Sequence, residues 1–550
     1  MVGSASICTL SIGKRAALAG LAFALSASGA LAQSSDFVET PIGATPAVTA
    51  SPLPQTPKPG APKPAATPAA TADGATAVPG ARADSDFVEQ PVGDAGAAQP
   101  ANGAAAPSGV TPFGFLSNIQ RSSSALGDMW GLRPTLAKFG TTLTVLEQSE
   151  LLGNVAGGVH QGFVYEGLTT ATLQTDTQRA FGLYGGLFNV SALQYHGGNL
   201  SAQNLDTLQT ASGIEADRAT RLWELWYQQK LFDDRVDIKI GQQSLDQEFM
   251  VTSNGAYFVN TMFGWPMLPS ADMPGGGPAY PLSALGIRAR VHLNDYFTLY
   301  AGLFNGSPVS NNTGDPQMRN PSGTSFPLGQ GVLAIAELQY AYPGPNTLVQ
   351  AGEPDPLSRT YKIGMWYDSE SFADLRYDTA GQSLASATTN GNPLMHNGDY
   401  AFYAVADQMI YRWADDPDRN INVFVRPMFT PLQDRNLISF SLNAGLVIHE
   451  PFLGRDDDTF GLGMGYAQVS SGASAYDRSY AAYNPGAFAP VRSGETYFEA
   501  TYQYEPMPWL QIQPDAQYVL NPGAGVANPN EPGTKVHNEI VIGVRVNAQL

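Results

Sequence analysis

The chain has 550 residues and is rich in Gly (58), Pro (41) and aromatics (10%), yet only 14% of it is charged, against about 25% in average soluble domains. Its formal net charge of −19 argues against nucleic acid as a partner, because phosphate binding needs a basic surface. Cys8 is the sole cysteine, so neither an intramolecular disulfide nor a cysteine zinc site can be built.

At the N-terminus, Lys14 and Arg15 precede an apolar stretch from Ala16 to Leu25, and Ala30-Leu31-Ala32 follows the small-x-small cleavage rule. Residues 1–32 are expected to be a cleaved signal peptide, with the mature chain starting at Gln33. The apolar stretch is shorter than the ~20 residues a spanning helix needs. Residues 33–112 are dominated by Ala, Pro, Thr and Gly. They cannot bury enough apolar surface to offset chain entropy, so a disordered periplasmic segment is expected. Within it Ser35-Asp36-Phe37-Val38-Glu39 recurs as Ser85-Asp86-Phe87-Val88-Glu89. A tandem duplication is the favoured origin; a pair of docking peptides for a periplasmic partner is the alternative. Residues 113–140 form a periplasmic lead-in to the next region.

From Thr141 to Leu550 the apolar pattern has period two. Trp223, Leu225, Tyr227 and Leu231 share one face, with Glu224, Trp226, Gln228 and Lys230 on the other. Val236, Ile238 and Ile240 oppose Asp237, Lys239 and Gly241; Leu285, Ile287, Ala289 and Val291 oppose Arg288, Arg290 and His292. At the end, Ile540, Ile542, Val544 and Val546 oppose Glu539, Gly543 and Arg545. Such dyads leave one face for lipid and one for water. Sixteen segments of this kind are expected near 141–152, 164–174, 182–196, 218–231, 236–249, 283–292, 297–306, 331–342, 359–372, 401–413, 421–431, 436–449, 458–470, 494–505, 509–520 and 537–550. Connections after even-numbered segments are mostly short and those after odd ones mostly long, the alternation of periplasmic turns and external loops. Residues 343–358 are long for a turn, and 432–435 short for a loop. The expected fold is an all-β transmembrane antiparallel barrel of sixteen strands over 141–550, preceded by the disordered arm.

A barrel of this size leaves an aqueous channel, which a selective pore must narrow. The loop 250–282, with Gly264-Trp265-Pro266 and Gly275-Gly276-Gly277-Pro278, is the candidate, through Trp265 and Asp272. Two placements stay open: folded inward as a constriction, or capping the mouth.

Several stretches carry a family resemblance. They are Leu126-Gly127-Asp128-Met129-Trp130-Gly131-Leu132-Arg133-Pro134, with Leu136-Ala137 and Gly140; Ile240-Gly241-Gln242-Gln243, followed by Phe249, Ser253 and Phe258; Phe263-Gly264 with Pro266; Pro281-Leu282-Ser283; and Ala301-Gly302-Leu303-Phe304-Asn305-Gly306-Ser307-Pro308. Together, across about 120–550, they resemble the OprB-type carbohydrate-selective porins, whose motif Gly-Asp-Trp-Gly-Gly-x-Arg is matched with Met129 in the Trp position. The resemblance implies a sixteen-stranded barrel in the bacterial outer membrane and passive uptake of sugars. The duplicated arm departs from that pattern.

A sugar-passing pore needs charged or amide groups to replace water on hydroxyls, and aromatic faces for the ring. The strand phase points Glu224, Trp226, Lys239, Arg288, Arg290, Glu337, Lys362, Trp366, Arg426, Glu499 and Arg545 inward as pore-lining candidates. By this reading the excess acid lies largely in loops and turns. Arg288 and Arg290 either form a polar constriction or pair with acids such as Glu224 or Asp237 in the wall. Trp226 and Trp366 are either stacking platforms or part of an interface girdle. The six histidines, at 160, 196, 292, 396, 449 and 537, show no close pairing, and no metal site, nucleophile elbow or phosphate loop is found. The acids of 415–418 and 456–458 read as solvated turns more than as calcium ligands.

The function expected is an outer-membrane porin, not an enzyme, passing mono- and small oligosaccharides or polyols without a cofactor. Its partners would be small-molecule sugars, outer-membrane lipid and the barrel assembly machinery, with no nucleic acid; homo-oligomerisation stays open. Alternatives are a general porin or one preferring anions or organic acids, a barrel adhesin or structural protein with no open channel, and a secreted all-β carbohydrate-active protein.

Overall fold

The computed structural model describes residues 123–310, 314–344 and 356–550. The expected signal peptide, the expected disordered arm with its duplication and the start of the expected lead-in lie outside the described residues. Sixteen antiparallel strands form one closed barrel. They are β1 Thr141–Gly158, β2 Gly162–Asp176, β3 Gly186–Gly197, β4 Ala219–Leu231, β5 Val236–Gln243, β6 Ala284–His292, β7 Phe297–Asn305, β8 Val332–Tyr342, β9 Arg359–Asp378, β10 Pro393–Arg412, β11 Asn420–Phe429, β12 Ile438–His449, β13 Thr459–Val469, β14 Gly494–Met507, β15 Leu510–Leu520 and β16 His537–Gln549. Every strand pairs with its sequence neighbours, and β1 closes on β16 from Leu146↔Gln549 to Gly158↔His537.

The alternation decides which side faces what. Ile240, Ile287, Leu303, Ile363, Leu462 and Ile542 stand exposed on the outside. Their strand-mates Lys239, Arg288, Lys362 and Arg545 are buried within. In water such a belt would be a large apolar patch; a bilayer is its proper solvent, and closure leaves no unpaired sheet edge in the lipid. Tyr296, Phe297, Tyr340, Tyr342 and Tyr361 form a row of rings at the short-turn end, with centroids 5.2–6.4 Å apart, as in an interfacial aromatic girdle. No helix among the described residues is long and apolar enough to cross a membrane; the strands cross.

Four local expectations need correction. First, β5 ends at Gln243, not 249. Its ladders end at Gln242↔Leu225 and Gln243↔Ala284, and 244–249 joins the following loop. Second, β9 and β10 each run 20 residues, so much of the expected loop 373–400 is a continued hairpin. This hairpin leans over the short loop 430–437: Arg435 donates to the Gly398 carbonyl at 2.7 Å, and Leu375 N–H to that of Asp434 at 2.8 Å. Third, the external segment 471–493 contains a helix, Ser471–Tyr483, capped by the Ser470 hydroxyl. Fourth, Trp223 does not face lipid. The β3–β4 register slips between Ser191↔Glu224 and Ala192↔Leu222, and Trp223 is buried with Leu168, Leu193, Ile214 and Tyr280.

The lead-in fastens the barrel seam. Arg133, in the resemblance motif, donates to the carbonyls of Gly127, Leu550 and Leu143 and to the Ser124 hydroxyl. Ala125 N–H reaches the Gln549 carbonyl at 2.7 Å.

Candidate solute constriction

The loop after β5, spanning 244–283, is folded into the lumen. It descends through short helical turns, including Thr261–Gly264 and Met267–Asp272, and crosses to the far wall. Glu337 on β8 accepts from Met250 N–H at 2.8 Å, and Lys362 on β9 donates to the Val251 carbonyl at 2.7 Å. Asp407 on β10 accepts from Thr252 (2.6 Å) and Asn254 (2.9 Å). Arg426 on β11 donates to the carbonyls of Met250, Met262, Phe263 and Gly264 at 2.6–3.1 Å. Glu499 on β14 accepts from Val259 N–H (2.6 Å) and Asn260 N–H (3.1 Å). Arg545 on β16 donates to the carbonyls of Phe258 and Val259 and pairs with Glu150. Hydrogen bonds to charged groups, each about 1.5–3 kcal/mol, thus grip the loop backbone from opposite walls.

Apolar packing seats the same loop. Phe258 stacks on Phe263 at 4.3 Å, and Phe263 meets Phe424 and Tyr497 edge-on at 5.7 and 5.5 Å. The facing strand β13 carries Gly461, Gly463 and Gly465 at every second position; a Cβ on Gly463 would lie 2.5 Å from Phe263 Cζ and 2.7 Å from Phe258. Trp265 is buried within the loop, its indole N–H on the Gly276 carbonyl at 2.9 Å. Asp272, also buried, accepts from Ile438 N–H at 3.1 Å and ties the loop to β12.

At the root of the loop the remaining candidates form one network. Arg288 binds Asp237 and the loop acid Glu248; Lys239 pairs with Glu248 at 2.8 Å; Arg290 pairs with Asp237. Glu224 receives Ser244 N–H at 2.9 Å and the Trp226 indole N–H at 3.2 Å. Lys239 lies 4.2 Å over the Trp226 ring, so that ring already has a cation on its face. Trp366 is 1% exposed inside the apolar cluster.

Three features escaped the sequence reading. The preceding external loop, 198–218, is folded inward too. Leu200, Leu205 and Leu208 are fully buried; Gln209 donates to Glu495 at 3.0 Å; Gly213 N–H donates to the Val259 carbonyl at 2.8 Å, joining the two loops. In the sequence it reads only as a long external connection. The second is Arg221, 3% exposed. Unbroken alternation through Glu224 points Arg221 outward, but the bulge at Trp223 reverses the phase. That bulge is held by Gln242, whose amide donates to the Trp223 carbonyl at 2.9 Å and to that of Gly323 at 3.0 Å. Both guanidinium Nη atoms of Arg221 are buried with no hydrogen-bond partner among the described residues. Asp217, Tyr280 and Asp315, one from each of three external loops, are its electrostatic neighbours. Third, the inner face holds more acid than expected. Besides Asp237 and Glu539, which the alternation already turned inward, Glu150, Glu166, Asp407, Glu495 and Asp515 are strand residues buried inside, so the excess acid is not confined to loops and turns.

A closed sixteen-stranded barrel with an apolar outer belt, a charged lumen and two inward loops is the architecture of an outer-membrane porin. Residues 160–550 match the carbohydrate-selective porin, OprB family, and the chain belongs to that family. It is 23% identical over 442 residues to Porin B of Pseudomonas aeruginosa, covering 76% of this chain and 90% of that one. To the putative porin QuiX of Acinetobacter baylyi it is 22% identical over 420 residues, covering 73% and 89%. The high-pH structure of Pseudomonas putida OprB superposes with a TM-score of 0.67 at 21% identity, covering 79% of this chain and all of that one. The family expectation drawn from the sequence motifs holds: this is a carbohydrate porin of the outer membrane, and its class is one of channels.

Proposed function

We propose that the chain passes neutral mono- and small oligosaccharides by passive diffusion through the lumen that the joined loops 198–218 and 244–283 narrow, with Arg221 as the group that meets their hydroxyls. The two Nη atoms of Arg221, buried and without a hydrogen-bond partner among the described residues, carry this reading. A buried charged donor left unmade costs more than the ~1–3 kcal/mol of a neutral one, and a solute oxygen relieves that cost as it passes. Asp217 and Asp315 nearby balance its charge, which favours a hydroxyl over a free anion. In this reading the pore-lining candidates divide by task. Glu337, Lys362, Arg426, Glu499 and Arg545 set the aperture by holding the inward loop, and Lys239, Arg288, Arg290 and Glu224 brace its root. Trp226 and Trp366 pack the wall.

Liposome swelling with purified protein tests it. Glucose should enter faster than a trisaccharide and faster than gluconate, and Arg221→Ala should slow glucose without speeding gluconate, because it leaves Asp217 and Asp315 unbalanced. Equal rates for glucose and gluconate in the wild type would refute the neutral-sugar reading.

A further inference from the structure

Below the inward loop, at the periplasmic end of the barrel, lies a cleft of about 370 Å³ between that loop and the ends of β8–β12. That volume lies in the lower part of the ~300–1,000 Å³ range of small-molecule sites. Tyr257 of the loop forms one wall, edge-on to His449 at 4.9 Å. Asn422 and Asn420 on β11 present a linked pair of amides, Asn422 Nδ2 donating to Asn420 Oδ1 at 2.5 Å. Asp407 is held in place by Thr252 and Asn254; Arg359 borders the cleft, but its guanidinium lies 4.5 Å over the outer-face Tyr342 ring.

This lining combines aromatic surface for C–H faces, amides that both donate and accept for hydroxyls, and one inward acid, Asp407. The strands that border it lead into turns dense in acid: Asp415, Asp416 and Asp418 precede β11, and Glu450, Asp456 and Asp457 follow β12. An anionic solute would need a surplus of cations that the cleft does not offer. A polyhydroxylated neutral solute needs what it has.

We propose that this cleft is a second binding station for a neutral solute of hexose size, reached after the constriction and before release to the periplasm. The proposal rests on the channel reading above. It assigns to Tyr257, Asn420 and Asn422 direct contact with solute, in a place apart from Arg221.

The test is ion current through the full-length protein inserted in one orientation in planar bilayers, with glucose titrated separately on each side. Asn422→Ala and Tyr257→Ala should each raise the half-blocking glucose concentration on the periplasmic side about tenfold, while shifting the external value by less than about twofold. Gluconate on the periplasmic side should block far less than glucose. Asn422→Ser serves if the Ala variant fails to insert, since the smaller hydroxyl keeps a polar contact and should give an intermediate shift. Conductance steps with periplasmic block unchanged in the variants, or block by gluconate equal to that by glucose, would overturn the station and leave the channel reading standing. No conductance steps from the wild-type protein would overturn both.

Discussion

Arg426 Nη2, on the inner face of β11, lies 2.6 Å from the carbonyl oxygen of Met262 in the inward loop. The guanidinium is wholly buried, and its Nη atoms donate to four loop carbonyls and to Asn443 Oδ1 on β12, so a side chain that looked like pore lining is a structural clamp on the aperture. Replacing it with Ala leaves several loop carbonyls without donors, at about 1.5–3 kcal/mol for each lost charged hydrogen bond. Arg426→Ala should therefore loosen the loop. Single-channel conductance should rise, and swelling rates for tri- and monosaccharides should converge.

Gly463 and Phe263 make the complementary seat. A methyl group on Gly463 would lie 2.5 Å from Phe263 Cζ, and overpacking of this kind costs about 1–3 kcal/mol. Gly463→Ala should lower the urea midpoint of the folded barrel in liposomes and broaden the distribution of single-channel conductances, as the displaced ring moves the loop. Gly454, with open space around its Cβ position but a φ of +77°, is a contrast outside the lumen: Gly454→Ala should strain a turn and leave conductance unaltered.

Leu303 is 54% exposed on the outer face of β7. An Arg on the lipid face near the bilayer midplane costs roughly 2–4 kcal/mol. Leu303→Arg should reduce folding stability by about that amount in lipid vesicles. A neutral result would mean that this face is not in hydrocarbon.

The exit carries a titrating acid. Glu450, in the turn after β12, has a carboxyl pushed up to about 7 by burial first and then by Asp416, Asp456 and Asp418; it, Asp416 and Asp418 bring carboxylate oxygens within 4.8 Å of one another. Between the ordinary Glu range and about pH 7 the folded chain holds a proton that the unfolded chain releases. This group therefore opposes folding increasingly as pH rises through that window. Glu450→Gln should be more stable than the wild type at pH 8 and equal to it at pH 4. In bilayers the wild-type reversal potential should become more cation-favouring from pH 6 to 8, and the Gln variant should lose most of that change.

Much of this protein is legible in its residues, and the failures are instructive. All sixteen strands appear in the order the dyads give, with ends moved chiefly at β1, β3, β5, β9 and β10, because a barrel wall has one apolar and one polar face and each residue's polarity reports its side. Inner-face assignments such as Arg288, Glu337 and Arg426 follow from the same rule. Arg221 was missed because a single bulge at Trp223 inverts the phase, and nothing in Arg-Leu-Trp-Glu marks it. The alternating glycines of β13 are a signal that was present in the sequence: three small residues in phase on a lumen face mean that something large approaches.

The sequence by itself determined the wall: strand number, facing, the alternation of short turns and long loops, and through its motifs the family. These are local patterns, and lipid and water read them residue by residue. Only the tertiary structure decided what fills the lumen. Whether 198–218 and 244–283 point outward or fold in depends on backbone groups meeting charges such as Glu499 and Arg545, hundreds of residues away in the chain. Partners of that kind follow no period, and they become visible only when the barrel closes and brings the far wall within hydrogen-bond reach.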